Sequence, residues 1–344
     1  MSESTSPSWN DLPGTPRIQV GILTTLLIAL PFATNDFWTR IGVGALMWIG
    51  LAQSWNMIGG YAGYLDFGHG AYFGIGAFAT GIAMAQFALP FVAGLGIAIA
   101  LTAVLSYLVA IPTLRLTGAY FAIATWALAE AIKQTALILD ITGGTFGLSL
   151  PKNPGDIIGV PLPIEPTTPF FYFLMLLFLV VTMGVTYFLF ERSPFGYRVK
   201  ALRDDQNAAE SIGIDTTRVK RQVYVLSCVV AAGFGAAHAW FIIFIHPNDV
   251  LAPIITDQMV IMALLGGLGT LGGPVFGGLF VYLLQRLSAA FLGTTTFYLP
   301  LIGVLLMLVV LFAPSGIIGI LRGEVGVSDV RQNISELAEK FDLR

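Results

Sequence analysis

The sequence predicts an all-α protein that crosses a membrane about ten times, and three observations carry that prediction. Of the 344 residues, 56% are hydrophobic and only 11% are charged, against roughly 25% charged in a soluble domain. Apolar runs of about 18 residues or more recur along the chain, and each is long enough to cross a bilayer as a helix. The charges that remain are gathered into a few segments: 196–221 alone holds six of the 17 Lys and Arg residues. Length by itself would allow two soluble domains, but the recurring apolar runs overrule it. A net charge of −3 and the lack of any basic run give no reason to expect nucleic acid as a partner. The single Cys228, inside an apolar run, excludes a disulfide framework.

Residues 1–17 are polar and rich in Ser, Thr and Pro, and read as a disordered tail. A signal peptide over 20–33 is disfavoured by the long polar segment before it and the lack of a small-x-small cleavage site. The spans fall at 18–33, 37–58, 67–87, 89–114, 117–139, 169–190, 223–245, 257–271, 272–291 and 297–321. Residues 18–322 thus form one membrane domain, with 323–344 as a tail. In that tail Val330, Ile334, Leu337 and Phe341 make one helical stripe, and Ser328 or Asp329 can cap it. Lys and Arg concentrate on the cytoplasmic side of membrane proteins. Ten spans put Arg17, Arg115, segment 191–221 and the tail with Arg322, Arg331, Lys340 and Arg344 together on that side. The other side receives 141–168, with Lys152 against Asp156 and Glu165, and 246–256, with neither Lys nor Arg. Both termini are therefore expected in the cytoplasm.

Two glycine-rich stretches interrupt the apolar pattern. One runs from Gly59-Gly60 through Gly63, Asp66 and His69 to Gly76; the other covers Gly266, Gly267, Gly269, Gly272 and Gly273 and reaches Gly278. Irregular backbone at membrane depth survives only where protein buries it or water reaches it, and in transporters such breaks mark the pathway. Gly60, Gly63, Asp66, His69, Gly267, Gly269 and Gly272 are accordingly candidate pathway or gate residues; close helix packing through small residues is an equally good account. The external segment 141–168 carries Thr142-Gly143-Gly144 and a run of prolines from Pro151, and reads as a stiffened loop suited to a protein partner.

Segment 196–221 reads as a docking element for a soluble partner. Ala208, Ala209, Ile212 and Gly213 fall near one face at helical spacing, with Arg203, Asp204, Asp205 and Glu210 around them. Ionisable residues within spans are functional candidates by default. Glu130 and Lys133, three apart, are expected to pair. Asp66, His69 and Asp257 are read as lying near the membrane–water interfaces, and Arg286 as snorkelling. His69, His238 and His246 show no ligand-like neighbours at helical or turn spacing, so no metal or other cofactor is expected. Nothing resembles a nucleophile with its base, and the chain does not read as an enzyme. A phosphate loop needs Lys followed by Ser or Thr; here the lysines precede Gln134, Asn153, Ala201, Arg221 and Phe341. If ATP drives the protein, another subunit supplies the site. No chain of carboxylates through the spans suggests proton coupling.

These residues resemble the branched-chain amino acid permease family of bacterial ABC importers, in its LivM-type subunit. The resemblance covers about 52–322. It rests on Trp55 with Gly59-Gly60-Tyr61-Ala62-Gly63, Phe67-Gly68-His69, Leu116-Thr117-Gly118-Ala119-Tyr120 and Thr142-Gly143-Gly144. It continues with Ser193-Pro194-Phe195-Gly196, Ala201-Leu202-Arg203-Asp204-Asp205, Gly266-Gly267-Leu268-Gly269-Thr270 and Ala313-Pro314-Ser315-Gly316. It implies a fold similar to the vitamin B12-type importer permeases, in the bacterial inner (cytoplasmic) membrane. It also implies a related second permease, two ATP-binding subunits and a periplasmic substrate-binding protein as partners, besides membrane lipid. Residues around 204–213 match the family's coupling segment, which docks on an ATPase. The polar N-terminus and the tail beyond Arg322 depart from the family pattern. The implied substrate is a branched-chain or related amino acid. Urea or a short amide is the alternative within the family; a stand-alone ion-coupled carrier or channel, or a membrane scaffold, lies outside it.

Overall fold

The computed structural model describes residues 27–151, 166–292, 300–304, 307 and 316–321. The expected tails at 1–17 and 323–344, most of the proline-rich loop, and much of the first and last spans lie outside these residues. Residues 27–33 are helical.

Helix α1 (Asp36–Asn56) opens on Asn35, whose side chain accepts from the Trp38 N–H, and runs on into a single π turn, Met57–Tyr61. Such wide turns are rare and local; this one coincides with Gly59-Gly60, where no Cβ resists it. The connection to α2 (His69–Ala85) contains the first glycine stretch, and α3 (Phe91–Thr113) and α4 (Ala119–Ile138) follow. Helix α5 (Thr168–Thr186) also closes in a π turn, Tyr187–Glu191. Next come α6 (Pro194–Asp204), α7 (Gln206–Ser211) and the long α8 (Thr216–Ile242). A short α9 (Pro247–Val250) leads to α10 (Pro253–Gly266), α11 (Gly273–Leu292) and α12 (Gly316–Leu321). Among the described residues one departure from all-α structure occurs: β1 (Leu148–Ser149) pairs antiparallel with β2 (Phe244–Ile245), Leu148 opposite Ile245.

Among the described residues five helical segments are long and apolar enough to cross a membrane: Asp36–Tyr61, Phe91–Thr113, Thr168–Glu191, Thr216–Ile242 and Pro247–Gly266. A sixth is added if Ala119–Ile138 and Asp140–Phe146, bent by 86°, count as one span. The protein is thus a multi-pass membrane protein with five or six such segments on view. Helix α8 begins earlier than the apolar run at 223 suggests. Asp215 caps it by accepting from the Arg218 N–H at 2.9 Å, and Val219 and Lys220 of its first turns are already buried.

Helix α8 is the central element and packs on α1, α2, α3 and α5. Lipid offers no hydrophobic drive for helix association, so close packing of small residues must supply it. The run from Ala231 to Ala237 does so. A Cβ added at Gly235 would overlap the Phe73 carbonyl oxygen, and one at Gly76 the Ala232 carbonyl oxygen. Near the end of α8, Trp240 stacks on Phe91 with ring centroids 4.6 Å apart and meets Phe170 and Phe171 edge-on. Val104 and Leu108 of α3 and Val180 and Val181 of α5 point outward, as lipid contact requires. Helix α1 lies between α5, α10 and α11.

The helices therefore have two distinct ends. At one, α1 and α5 close in π turns beside α6 and α7. At the other lie the start of α1, the end of α8, α9 and the end of α11. The 26 residues of Asp36–Tyr61 span about 39 Å at 1.5 Å per residue, enough to cross the roughly 30 Å hydrocarbon core.

Candidate functional site

The two glycine stretches, far apart in sequence, meet in space. Asn56, at the end of α1 and fully buried, joins them. Its Nδ2 donates to the Thr270 carbonyl at 3.0 Å, and its Oδ1 accepts from the Gly269 N–H at 2.9 Å. A Cβ at Gly60 would overlap Asn56 Oδ1 and lie 2.5 Å from the Gly269 nitrogen, so only glycine lets the strands of this junction close. Gly63 and Gly269 have φ of +79° and +68°, a region that side-chain-bearing residues rarely occupy. Gly267 ends α10, and Gly272 faces Ile318 of α12.

Segment 196–221 reaches into this junction through Arg203. A Cβ built on Gly63 meets Arg203 Cγ at 3.3 Å, and one on Gly269 would overlap its Nη1. A chain of side chains continues the link. The Tyr61 hydroxyl donates to Glu191 Oε1 at 2.7 Å, tying the two π turns together, and Lys200 Nζ donates to Glu191 Oε2 at 3.0 Å. Gln206 Oε1 accepts from the Tyr64 hydroxyl at 3.3 Å and from Lys220 Nζ at 2.7 Å. An open cleft of about 780 Å³ adjoins this network, bounded by Glu191, Lys200, Gly269, Thr270 and Leu271.

Segment 196–221 is more ordered than a loop. Ser193 caps α6 with Pro194 in its first turn, and Asp205 caps α7, accepting from Asn207 N–H at 2.8 Å and Ala208 N–H at 3.1 Å. Ala208, Ile212 and Gly213 are exposed, with Asp204 and Asp205 beside them, but Ala209 is 2% exposed and faces inward. The small-residue face is thus Ala208–Ile212–Gly213; α7 is one short turn against α6 and α8, and that turn buries Ala209. Glu210 Oε1 accepts from the Thr216 hydroxyl at 2.5 Å and from Gln206 Nε2 at 2.9 Å. These bonds hold its carboxyl below the ordinary 4.5.

Asp66 and His69 are both fully buried within the protein. Asp66 Oδ2 is 3.1 Å from His69 Nδ1, and Oδ1 accepts from the Gly68 N–H at 2.9 Å. His69 Nε2 is 3.2 Å from Ser54 Oγ. Asp66, His69 and Cys228 bring their ligand-type atoms within 4.8 Å of one another. Sequence spacing missed this group because Cys228 comes from α8, and because the Asp66–His69 pair was not read as a unit. The carboxylate is engaged with the turn it belongs to, which lowers the cost of burying it. Glu130 and Lys133 do pair, at 2.7 Å on α4. Arg286 Nε donates to the Tyr282 hydroxyl at 2.9 Å. Asn56 and Gln206 were not foreseen; a lone Asn at the end of an apolar run, three residues before a Gly-Gly pair, was the available signal.

Residues 39–311 match a sequence family described as "Branched-chain amino acid transport system / permease component". The chain belongs to this family. It is similar to the high-affinity branched-chain amino acid transport system permease protein LivM of Salmonella typhimurium, 25% identical over 325 aligned residues that cover 88% of this chain and 75% of the relative. The probable LivM of Methanocaldococcus jannaschii is 28% identical, with 79% of this permease and 92% of the relative covered. The permease protein LivH of Escherichia coli matches a shorter part, 32% identical over 128 residues, 37% of this chain. No solved structure matches. As a family member the chain is the permease component of a transport system.

Proposed function

We propose that this permease forms, with a related second permease, the inner-membrane pathway of a branched-chain amino acid importer driven by two ATP-binding subunits and supplied by a periplasmic binding protein. In this reading the chain has about ten spans in the arrangement of the vitamin B12-type permeases, with both termini cytoplasmic. The exposed Ala208 of α7, with Ile212 and Gly213 just beyond it and the adjacent Arg203, Asp204 and Asp205, docks on an ATPase; Ala209 anchors α7 from beneath. Gly60, Gly63, Gly267, Gly269 and Gly272 form the gate, Asp66 and His69 hold the turn beside it, and the Glu130–Lys133 pair neutralises two charges within a span.

The observation that carries this reading is the position of Arg203. It joins the docking helices to the place where both glycine-broken spans meet, so a displacement of α6 and α7 moves the junction directly. The test is leucine uptake in vesicles holding the full importer with Ile212→Asp or Ala208→Trp. Both residues are exposed, so the chain should fold and insert normally, while uptake falls by at least about tenfold, as loss of an interface anchor implies. Uptake that persists at wild-type rate overturns the docking assignment. Competition by urea but not by leucine in the wild type overturns the substrate assignment.

A further inference from the structure

At the end of the helices away from α6 and α7 lies another open cleft, of about 410 Å³. That is within the roughly 300–1,000 Å³ typical of small-molecule sites, which combine apolar walls with a few polar groups. Val43, Met47, Phe73 and Ile255 supply apolar wall, while Arg40, Asp249 and Arg286 are the charged side chains that line it; neutral-type groups such as His238 and Gln258 also face it.

The charge inventory is specific. Arg40 is compensated by Asp36, at 2.9 Å. Arg286 is held by a neutral partner, the Tyr282 hydroxyl, with its guanidinium 5.1 Å from the Tyr282 ring. No carboxylate pairs with Arg286 among the described residues, and the Asp249 carboxylate has neither a hydrogen bond nor an ion pair there. Among the described residues, a cation with no carboxylate partner and an anion with no partner, both exposed to solvent, therefore line one open cleft with apolar walls. A guanidinium fork matches a carboxylate, a carboxylate accepts from an ammonium, and apolar walls take an apolar side chain. A ligand that satisfies all three is a zwitterionic apolar α-amino acid.

We infer that this cleft is an amino acid binding site, with Arg286 holding the ligand carboxylate, Asp249 its ammonium, and Met47, Phe73 and Ile255 its side chain. The inference rests on the proposed amino acid import function and adds the residues that contact the ligand. It puts the site about one bilayer thickness from the ATPase-docking helices, at the face where a binding protein would release its cargo.

The test is equilibrium binding of radiolabelled leucine to the purified full importer complex without its binding protein. Unlabelled leucinol, which lacks the carboxylate, and 4-methylpentanoate, which lacks the ammonium, serve as competitors. Arg286→Met should weaken leucine and 4-methylpentanoate about tenfold or more, the scale of a lost charged hydrogen bond, and leave leucinol unchanged. Asp249→Asn should weaken leucine and leucinol and leave 4-methylpentanoate unchanged. Unchanged leucine affinity in either variant, or equal weakening of all three ligands, overturns the assignment. Should a variant complex not assemble, Ile254→Cys, at an exposed residue of the same cleft, gives an independent readout in the otherwise intact complex. Leucine should slow its labelling by a membrane-impermeant thiol reagent, and no protection overturns the site. A wild-type complex that imports urea and ignores leucine defeats the import function itself. A complex that imports leucine while both variants bind it normally defeats only this site.

Discussion

Gln53 and Asn56 sit three residues apart on α1, both amide side chains with no solvent exposure, yet opposite consequences follow from replacing them. Asn56 makes two hydrogen bonds, 3.0 Å to the Thr270 carbonyl and 2.9 Å from the Gly269 N–H. Asn56→Leu keeps the volume and strands both backbone groups. At about 1–3 kcal/mol per buried unsatisfied group, reduced because the junction is only part-buried, the cost is about 2–4 kcal/mol. The Gln53 amide has no hydrogen-bond partner at either end among the described residues. Gln53→Met removes that unsatisfied amide with little change in shape and should be neutral or stabilise by about 1–3 kcal/mol. The chain carries its own reporter. Cys228 is the single cysteine and is fully buried, so a thiol-reactive fluorogenic dye reads unfolding of the purified chain in detergent without an added probe. Asn56→Leu should react several degrees below wild type, and Gln53→Met at or above it. An Asn56→Leu protein as stable as wild type, or a Gln53→Met protein equally damaged, would refute the claim that the Asn56 amide bridges the two glycine stretches.

Two further predictions use the same preparation. Gly76→Leu should also lower the thiol-reaction temperature below wild type, because any Cβ there meets the Ala232 carbonyl backbone of α8 and overpacking costs about 1–3 kcal/mol or more; stability equal to wild type would mean that α2 and α8 are not in close contact. Glu210 gives a pH prediction. Its folded pKa lies below the ordinary 4.5 because Thr216 and Gln206 donate to it, so its stabilisation of α7 is present above that value and lost as pH falls through the lower folded one. Amide-exchange protection of Ile212 and Gly213, corrected for intrinsic rates, should drop in that acid range in wild type and stay level in Glu210→Gln; identical profiles would refute it.

What was legible in the sequence is what local rules govern. Apolar length found the five or six membrane-length segments among the described residues, while the caps Ser193, Asp205 and Asp215 were missed and 196–221 forms helical segments rather than a loop with one short helix. Helical spacing put Ala208 and Ala209 on one face. In a single six-residue turn, α7 (Gln206–Ser211), the neighbours on either side decide which face is buried, and Ala209 went inward. Long-range chemistry was illegible. Asp66 and His69 looked interfacial because a turn with glycines usually is; the structure buries them against Ser54 and Cys228, which no local pattern connects to them. Arg40, Asp249 and Arg286 come from α1, α9 and α11, and only the packing of those elements assembles them.

That packing also bears on how two sites so far apart can act together. Helix α1 carries Arg40 and Met47 on the cleft side and Asn56 and Gly60 at the junction; α8 carries Lys220 at the docking end and Phe241 at the cleft. Between these ends α8 is packed against α2 through backbone-to-backbone contacts at Gly76 and Gly235 that leave no slack for bending. Packed elements of this kind shift as bodies rather than deform continuously. Helix α1 departs from regular α geometry at its π turn, where Gly59-Gly60 leads to Gly63, and Arg203 packs there. In the proposed function, a push from an ATPase on α7 would act through Arg203 on the glycine junction and through α8 on the Arg286–Asp249 cleft, so that gate movement and ligand release would be two ends of one displacement.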